Sequence, residues 1–354
     1  MKYAKSEHLL NKQISPLQTG QPVFAKYEIV GGNEDTNFLD CIAPSDLKSE
    51  PIFWYEPTNR DFVEICSDLA KCADINLAWL AHPGSTKTSG YQSTVQTLLR
   101  LAKKWGSLGF DNQMKESKQA DQINMLNSIW PDYAKNIPAS HDPAIWITGH
   151  ARNVDFILEC LAVAARSWTY DNIELNQQLA HLLFRFETGI SLPLSTFDTH
   201  DSWNVRNAHF LRLDNTIPAP TYNYADGVQI RNGLTIPLDF EDPEDQALML
   251  IRHIIDSNLA TAQVTARGIR YTSLMQTIYS HLAGIYSDAV DNMWWGPEKP
   301  DKTWVRHCHE CSHVFVSVSR RQKFCPSLIR GARSTCNNTF NKRRTRARNR
   351  KETS

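Results

Sequence analysis

Half of the cysteines in this chain crowd into one short stretch near its C-terminal end, and that stretch limits what the rest can be. Of eight cysteines in 354 residues, Cys308, Cys311, Cys325 and Cys336 lie close together, whereas Cys41, Cys66, Cys72 and Cys160 are scattered. Isolated cysteines in apolar segments behave as small hydrophobes. The Cys308-x2-Cys311 spacing is different, because two thiolates from one tight turn can reach the same tetrahedral ion, and Cys325 and Cys336 can complete a four-sulfur set. A redox Cys-x-x-Cys pair belongs at a helix start in a βαβ setting, and no such pattern surrounds Cys308. No secretory signal opens the sequence, so a metal site is expected in preference to a disulfide framework.

The predicted ion is structural Zn2+. A segment this small buries too little apolar surface to fold alone, and zinc supplies on the order of 10 kcal/mol to such modules. Cys336 is favoured as the fourth ligand because four thiolates close the site against water. His313 is the reserve, with His307 and His309 also nearby. Between the cysteines, "SHVFVSVSRRQKF" alternates Val314, Val316 and Val318 with Phe315, Ser317 and Ser319, as a hairpin strand does, and Arg320-Arg321-Gln322-Lys323 would turn the chain back to Cys325. The layout is zinc-ribbon-like.

Charge separates along the same line. Residues 301–354 hold 14 Lys+Arg against 3 Asp+Glu, a net of +11, so a chain of zero net charge leaves −11 on residues 1–300. A basic end on an acidic body points to a polyanionic partner. The stretch "FNKRRTRARNRK" contains no helix breaker, and Arg343, Arg346 and Arg350 share one helical face with Arg344, Arg348 and Lys351 beside it. Arginine on nearly every face excludes a packed core role and suits phosphates. Candidate phosphate contacts are Arg320, Arg321, Lys323, Lys342, Arg343, Arg344, Arg346, Arg348 and Arg350. Asn337, Asn338 and Asn341 could reach adenine edges.

The tail "WVRHCHECSHVFVSVSRRQKFCPSLIRGARSTCNNTFNKRRTRAR" resembles the CGNR zinc finger, a bacterial module. There a Trp-Val-Arg-x-Cys opening, a first cysteine pair, an aromatic, an arginine before the third cysteine and a final Cys-Gly-Asn-Arg lead into a basic helix. Cys336-Asn337-Asn338-Thr339 stands where the last motif would be, with Asn337 for its Gly, Thr339 for its Arg and a longer gap before Cys336. The resemblance covers the C-terminal ~45 residues. It implies nucleic-acid binding and, from the family's proposed role, transcription regulation.

Residues 1–300 are expected to form a mainly α (α+β) body with some β-hairpins, of sensory or regulatory use, ahead of the finger at 301–354. "PVFAKYEIVGG" and "PIFWYEP" suit strands. Helices are predicted for the stripes Phe62-Ile65-Leu69-Ala73, Tyr91-Val95-Leu98-Leu99-Ala102-Trp105, Val154-Ile157-Leu158-Leu161-Ala165 and Leu175-Leu179-Leu182-Leu183-Phe186, then for "DPEDQALMLIRHIIDSNLATA" and "SLMQTIYSHLAGIYSDAVDNMWW". "DGVQIRNGLTIPLDF" carries hairpin turn signals. The weakly patterned stretch 111–140 marks where the body would subdivide.

No apolar run reaches the roughly 20 residues of a membrane span, and a soluble cytoplasmic protein is expected. "HPGSTKTSG" at His82 lacks phosphate-loop spacing, and His150 is expected to cap or pack at the start of a helix. Asp198, His200, Asp201 and His209 collect in a loop that could ligate metal or do acid–base chemistry. That loop supports a rival reading, a nucleic-acid-processing or defence enzyme targeted by its zinc tail. A third is an RNA-binding or protein-interaction module. The leading expectation is a zinc-dependent protein that binds duplex DNA, with an unknown small molecule or protein as effector.

Overall fold

The computed structural model describes residues 21–23, 26–31, 40–45, 53–55, 59–73, 89–109, 142–166, 172–188, 243–259, 262–265, 268–271, 273–291, 305–317, 319, 321–329 and 332–353. The expected hairpin in "DGVQIRNGLTIPLDF", the stretch 111–140, the His82 loop and the loop with Asp198, His200, Asp201 and His209 lie outside these residues.

Seven helices carry the described fold: α1 (Asn59–Ala70), α2 (Ser89–Trp105), α3 (Ala144–Ala164), α4 (Asn172–Thr188), α5 (Pro243–Leu259), α6 (Leu274–Asp291) and α7 (Thr335–Thr353). The strands are short: β1 (Gln21–Val23), β2 (Tyr27–Gly31), β3 (Asp40–Pro44), β4 (Phe53–Tyr55), β5 (Asp142–Pro143), β6 (Gln263–Thr265), β7 (Gly268–Arg270), β8 (Val305–His307) and β9 (Val314–Val316). Strand β1 pairs with β4, β3 lies between β2 and β5, and β6–β7 and β8–β9 are two separate pairs, all antiparallel. The mainly helical expectation therefore holds, with β structure at the margins.

Helix α3 is the axis of the body. Ala151, Val154, Phe156, Ile157, Leu158, Cys160, Leu161 and Val163 are all buried, leaving, among the described residues, only the stripe of Arg152, Asp155 and Glu159 partly exposed, as expected of a helix largely surrounded by others. It packs against α1 and α4, while α5 joins α4 to α6. Among the described residues no helix is long and apolar enough to cross a membrane. Helix α2 ends at Trp105, where Gly106 takes a positive φ of 81° and its N–H closes on the Ala102 carbonyl at 2.7 Å, a left-handed cap that glycine adopts without a Cβ penalty.

Two sequence expectations change. His150 does not precede a helix; α3 begins at Ala144, because the run from Ala144 continues the apolar pattern upstream. Its ring is buried edge-on to Trp146, and Nδ1 lies 2.8 Å from the Tyr279 hydroxyl of α6. Second, the strand after the first knuckle pairs upstream: Val305, Arg306 and His307 face Val316, Phe315 and Val314. The returning segment, residues 321–327, carries no strand; it is fixed instead by the His309 N–H donating to the Lys323 carbonyl at 3.0 Å and Gln322 N–H to the Ser319 carbonyl at 3.1 Å.

Candidate metal centre

Strand alternation places successive side chains on opposite faces, and in β9 both faces are covered. Val314 and Val316 enter the apolar core of the body, together with Val305, whereas Phe315 packs with Cys308 and Cys325 beside Cys311, Phe324 and Cys336. The body face is built by α1 and α3. Ser67 of α1 accepts the Val316 N–H through its Oγ at 3.0 Å, and Glu159 of α3 lies 2.7 Å from His307 Nε2.

Between β8 and β9 the chain forms the knuckle. Cys308 N–H donates to the His313 carbonyl and Ser312 N–H to the Cys308 carbonyl, each at 2.9 Å. Closing so tight a turn puts Ser312 at φ 59°, the left-handed region that a β-carbon disfavours. In the sequence Ser312 carries no signal beyond its place directly after the second knuckle cysteine.

The ligand atoms of Cys308, Cys311, Cys325 and Cys336 all lie within 4.8 Å of one another. Cys311 and Cys325 sulfurs are 3.8 Å apart, and those of Cys325 and Cys336 are 3.6 Å apart. A tetrahedron with metal–sulfur arms of about 2.3 Å has edges of about 3.8 Å, so the donor set fits one tetrahedral ion. Among the described residues His313 is outside this group, while His307 turns to Glu159 and His309 meets Phe324 edge-on at 6.1 Å between centroids.

The electrostatics suit a cation. Burial alone would push the Cys308 thiol up, but the backbone of Cys325, Cys311 and Glu310 and the Cys311 side chain hydrogen-bond to its sulfur and bring it down to about 7. Burial raises Cys325 and Cys336 instead, and the neighbouring sulfurs add repulsion that a metal ion would relieve. The dispersed cysteines have no such setting. Cys66, Cys72 and Cys160 are buried in the body, where burial lifts their thiols.

Helix α7 starts at the last cysteine. Ser334 Oγ accepts the Asn337 N–H at 3.3 Å, an N-cap, and Asn337 Oδ1 accepts from Asn341 Nδ2 at 3.0 Å. Phe340 stacks on Phe324 at 5.3 Å, and Arg343 pairs with Glu310 of the knuckle at 2.7 Å. Farther along the helix, Lys342, Arg344, Arg346 and Arg348 are exposed. Arg321 and Lys323 are also exposed, at a cleft of about 520 Å³ that Glu64 and Asn337 line as well. Arg320 lies outside the described residues, and Arg350 is placed only as a position in α7.

Known proteins add nothing to this geometry. No protein-family model, curated protein or solved structure matches the chain.

Proposed function

We propose that the chain is a zinc-dependent nucleic-acid-binding protein of the CGNR type, used in transcription regulation, with duplex DNA as its partner. Cys308, Cys311, Cys325 and Cys336 hold Zn2+, whose role is to fix the knuckle and the start of α7. The supporting observation is α7 itself, a 19-residue helix rooted at Cys336 whose exposed charged residues from Lys342 to Arg348 are all cationic. A helix with no apolar face gains nothing from packing. It gains from phosphates, which arginine binds with two parallel N–H donors.

The helix is not uniform. Its first half is tied down by Cys336, Phe340 and Arg343, so Arg343 orients the helix through Glu310, whereas Lys342, Arg344, Arg346 and Arg348 are exposed side chains that phosphate could meet. The stretch 344–353 extends about 15 Å at 1.5 Å per residue, enough to follow a DNA groove across several base pairs.

The test is salt-dependent binding to duplex DNA and duplex RNA, by the zinc-loaded chain and by the same chain ended after Arg343. If about six cations meet phosphate, the log–log salt slope on duplex DNA is near −5, and truncation removes most of it. A slope near zero, or affinity unchanged by truncation, refutes the proposal. Tighter binding to RNA would replace DNA with RNA as the partner.

A further inference from the structure

The cysteine cluster is joined to the body by buried ammonium groups as well as by valines. Lys71, just past the end of α1, donates from Nζ to the Pro326 carbonyl at 2.6 Å and to Asp68 Oδ1 at 3.2 Å. Lys104, in the last turn of α2, donates to the Ser327 carbonyl at 2.6 Å and to Asp68 Oδ2 at 2.7 Å. Pro326 and Ser327 directly follow the metal-site Cys325. The two lysines thus grip the backbone that presents one of the four sulfurs, across sequence separations of 255 and 223 positions.

Three features mark this as a built arrangement. Asp68 has no exposed side chain and Lys104 only 3% exposure, and charged groups are buried this deeply only when paired and hydrogen-bonded. Asp68 also accepts the indole N–H of Trp105 at 3.0 Å, while Lys104 Nζ lies 4.8 Å from that ring centroid and 3.4 Å from Glu64, which is more exposed. Lys71, in turn, is only 12% exposed; burial works against its charge, but Asp68 beside it keeps its ammonium above the ordinary lysine range.

Charge counting gives the arrangement a purpose. Asp68 offsets one of the two ammonium groups and the more exposed Glu64, 3.4 Å from Lys104, offsets the other in part, so what the pair supplies to the Cys325 segment is two hydrogen bonds to its carbonyls. Metal centres depend on such outer groups to orient their ligands and tune their affinity.

We propose that Lys71 and Lys104 are the outer shell of the metal centre: they place the Cys325 segment for coordination, so that α1 and α2 of the body set how tightly the finger holds its ion. Linkage makes the effect reciprocal. Whatever shifts α1 against α2 changes metal retention, and metal loss loosens the ends of α1 and α2. The inference rests on the metal reading of the four cysteines and is independent of nucleic-acid binding.

The experiment measures the Zn2+ dissociation constant of the full chain by competition with a chromophoric chelator, for the wild type, Lys71→Met and Lys71→Arg, with far-UV circular dichroism as the check on folding. Lys71→Met is expected to weaken zinc about 10–100-fold at unchanged helicity, and Lys71→Arg, which keeps the charge, to recover much of that loss. Affinity in Lys71→Met within about twofold of wild type overturns the inference while leaving the four-cysteine site standing. A wild type that binds no zinc refutes the site itself. Should Lys71→Met not fold, hydrogen exchange on the wild type decides: zinc removal is expected to speed amide exchange in residues 66–70 and 101–105, and identical rates with and without zinc overturn the coupling.

Discussion

Ser312 occupies a position where the backbone asks for glycine. A β-carbon in the left-handed region costs roughly 1–2 kcal/mol, here accepted because the turn must bring Cys308 and Cys311 to one ion. Ser312→Gly removes that cost, less the extra freedom glycine has when unfolded. It is expected to raise zinc affinity up to about fivefold, or about 1 kcal/mol, in chelator competition; Ser312→Val should lower it. A similar argument at the scale of one side chain separates Arg343 from its neighbours. Its contact with Glu310 makes it part of the finger's geometry, although in the sequence it is one arginine in a run of them.

Among the elements, α7 is the one whose formation works against itself. Lys342 and Arg346, Arg344 and Arg348, and Arg346 and Arg350 repeat like charge at i,i+4, each costing about 0.2–0.5 kcal/mol. Arg346→Glu turns two of those repulsions into attractions. Amide exchange in α7 is therefore expected to slow while affinity for duplex DNA falls, two effects of opposite sign that a merely destabilised helix would not produce. Helices α1 to α6 were legible in outline because their apolar stripes recur at helical spacing. The alternation of Val314, Phe315 and Val316 was legible too, but not its pairing, since β8 precedes the knuckle and three residues of "VRH" carry little strand signal. Least legible was the far side of α1. Ser67 and Asp68 look like solvent-facing residues beside the Phe62-Ile65-Leu69 stripe, yet both are buried because β9 and the Cys325 segment cover them. Their partners lie more than 240 positions away for Ser67, beyond the reach of any local pattern.

For the molecule as a whole, stability should depend on pH through the interior of the body. Burial lowers His281 to about 4 and His150 to about 3 from an ordinary 6.5, and among the described residues neither ring nitrogen of His281 has a hydrogen-bond partner. A histidine held neutral in the fold takes up its proton more readily when unfolded. Its stabilising effect is thus present above pH 6.5 and is lost as pH falls toward the folded value, by about 1.4 kcal/mol per unit for each histidine. Urea unfolding at pH 7 and pH 5 should show this loss, and His281→Phe should make it smaller; an equal loss in the variant would refute the assignment. The four cysteines, the charge separation and the helical body were all readable in advance, whereas the clasp between body and tail was not. That clasp also bears on engineering. With its valines in the body's core and its third cysteine segment held by Lys71 and Lys104, the finger is not a portable part: moved to another scaffold, it would need the buried face of α1 and the end of α2 to travel with it.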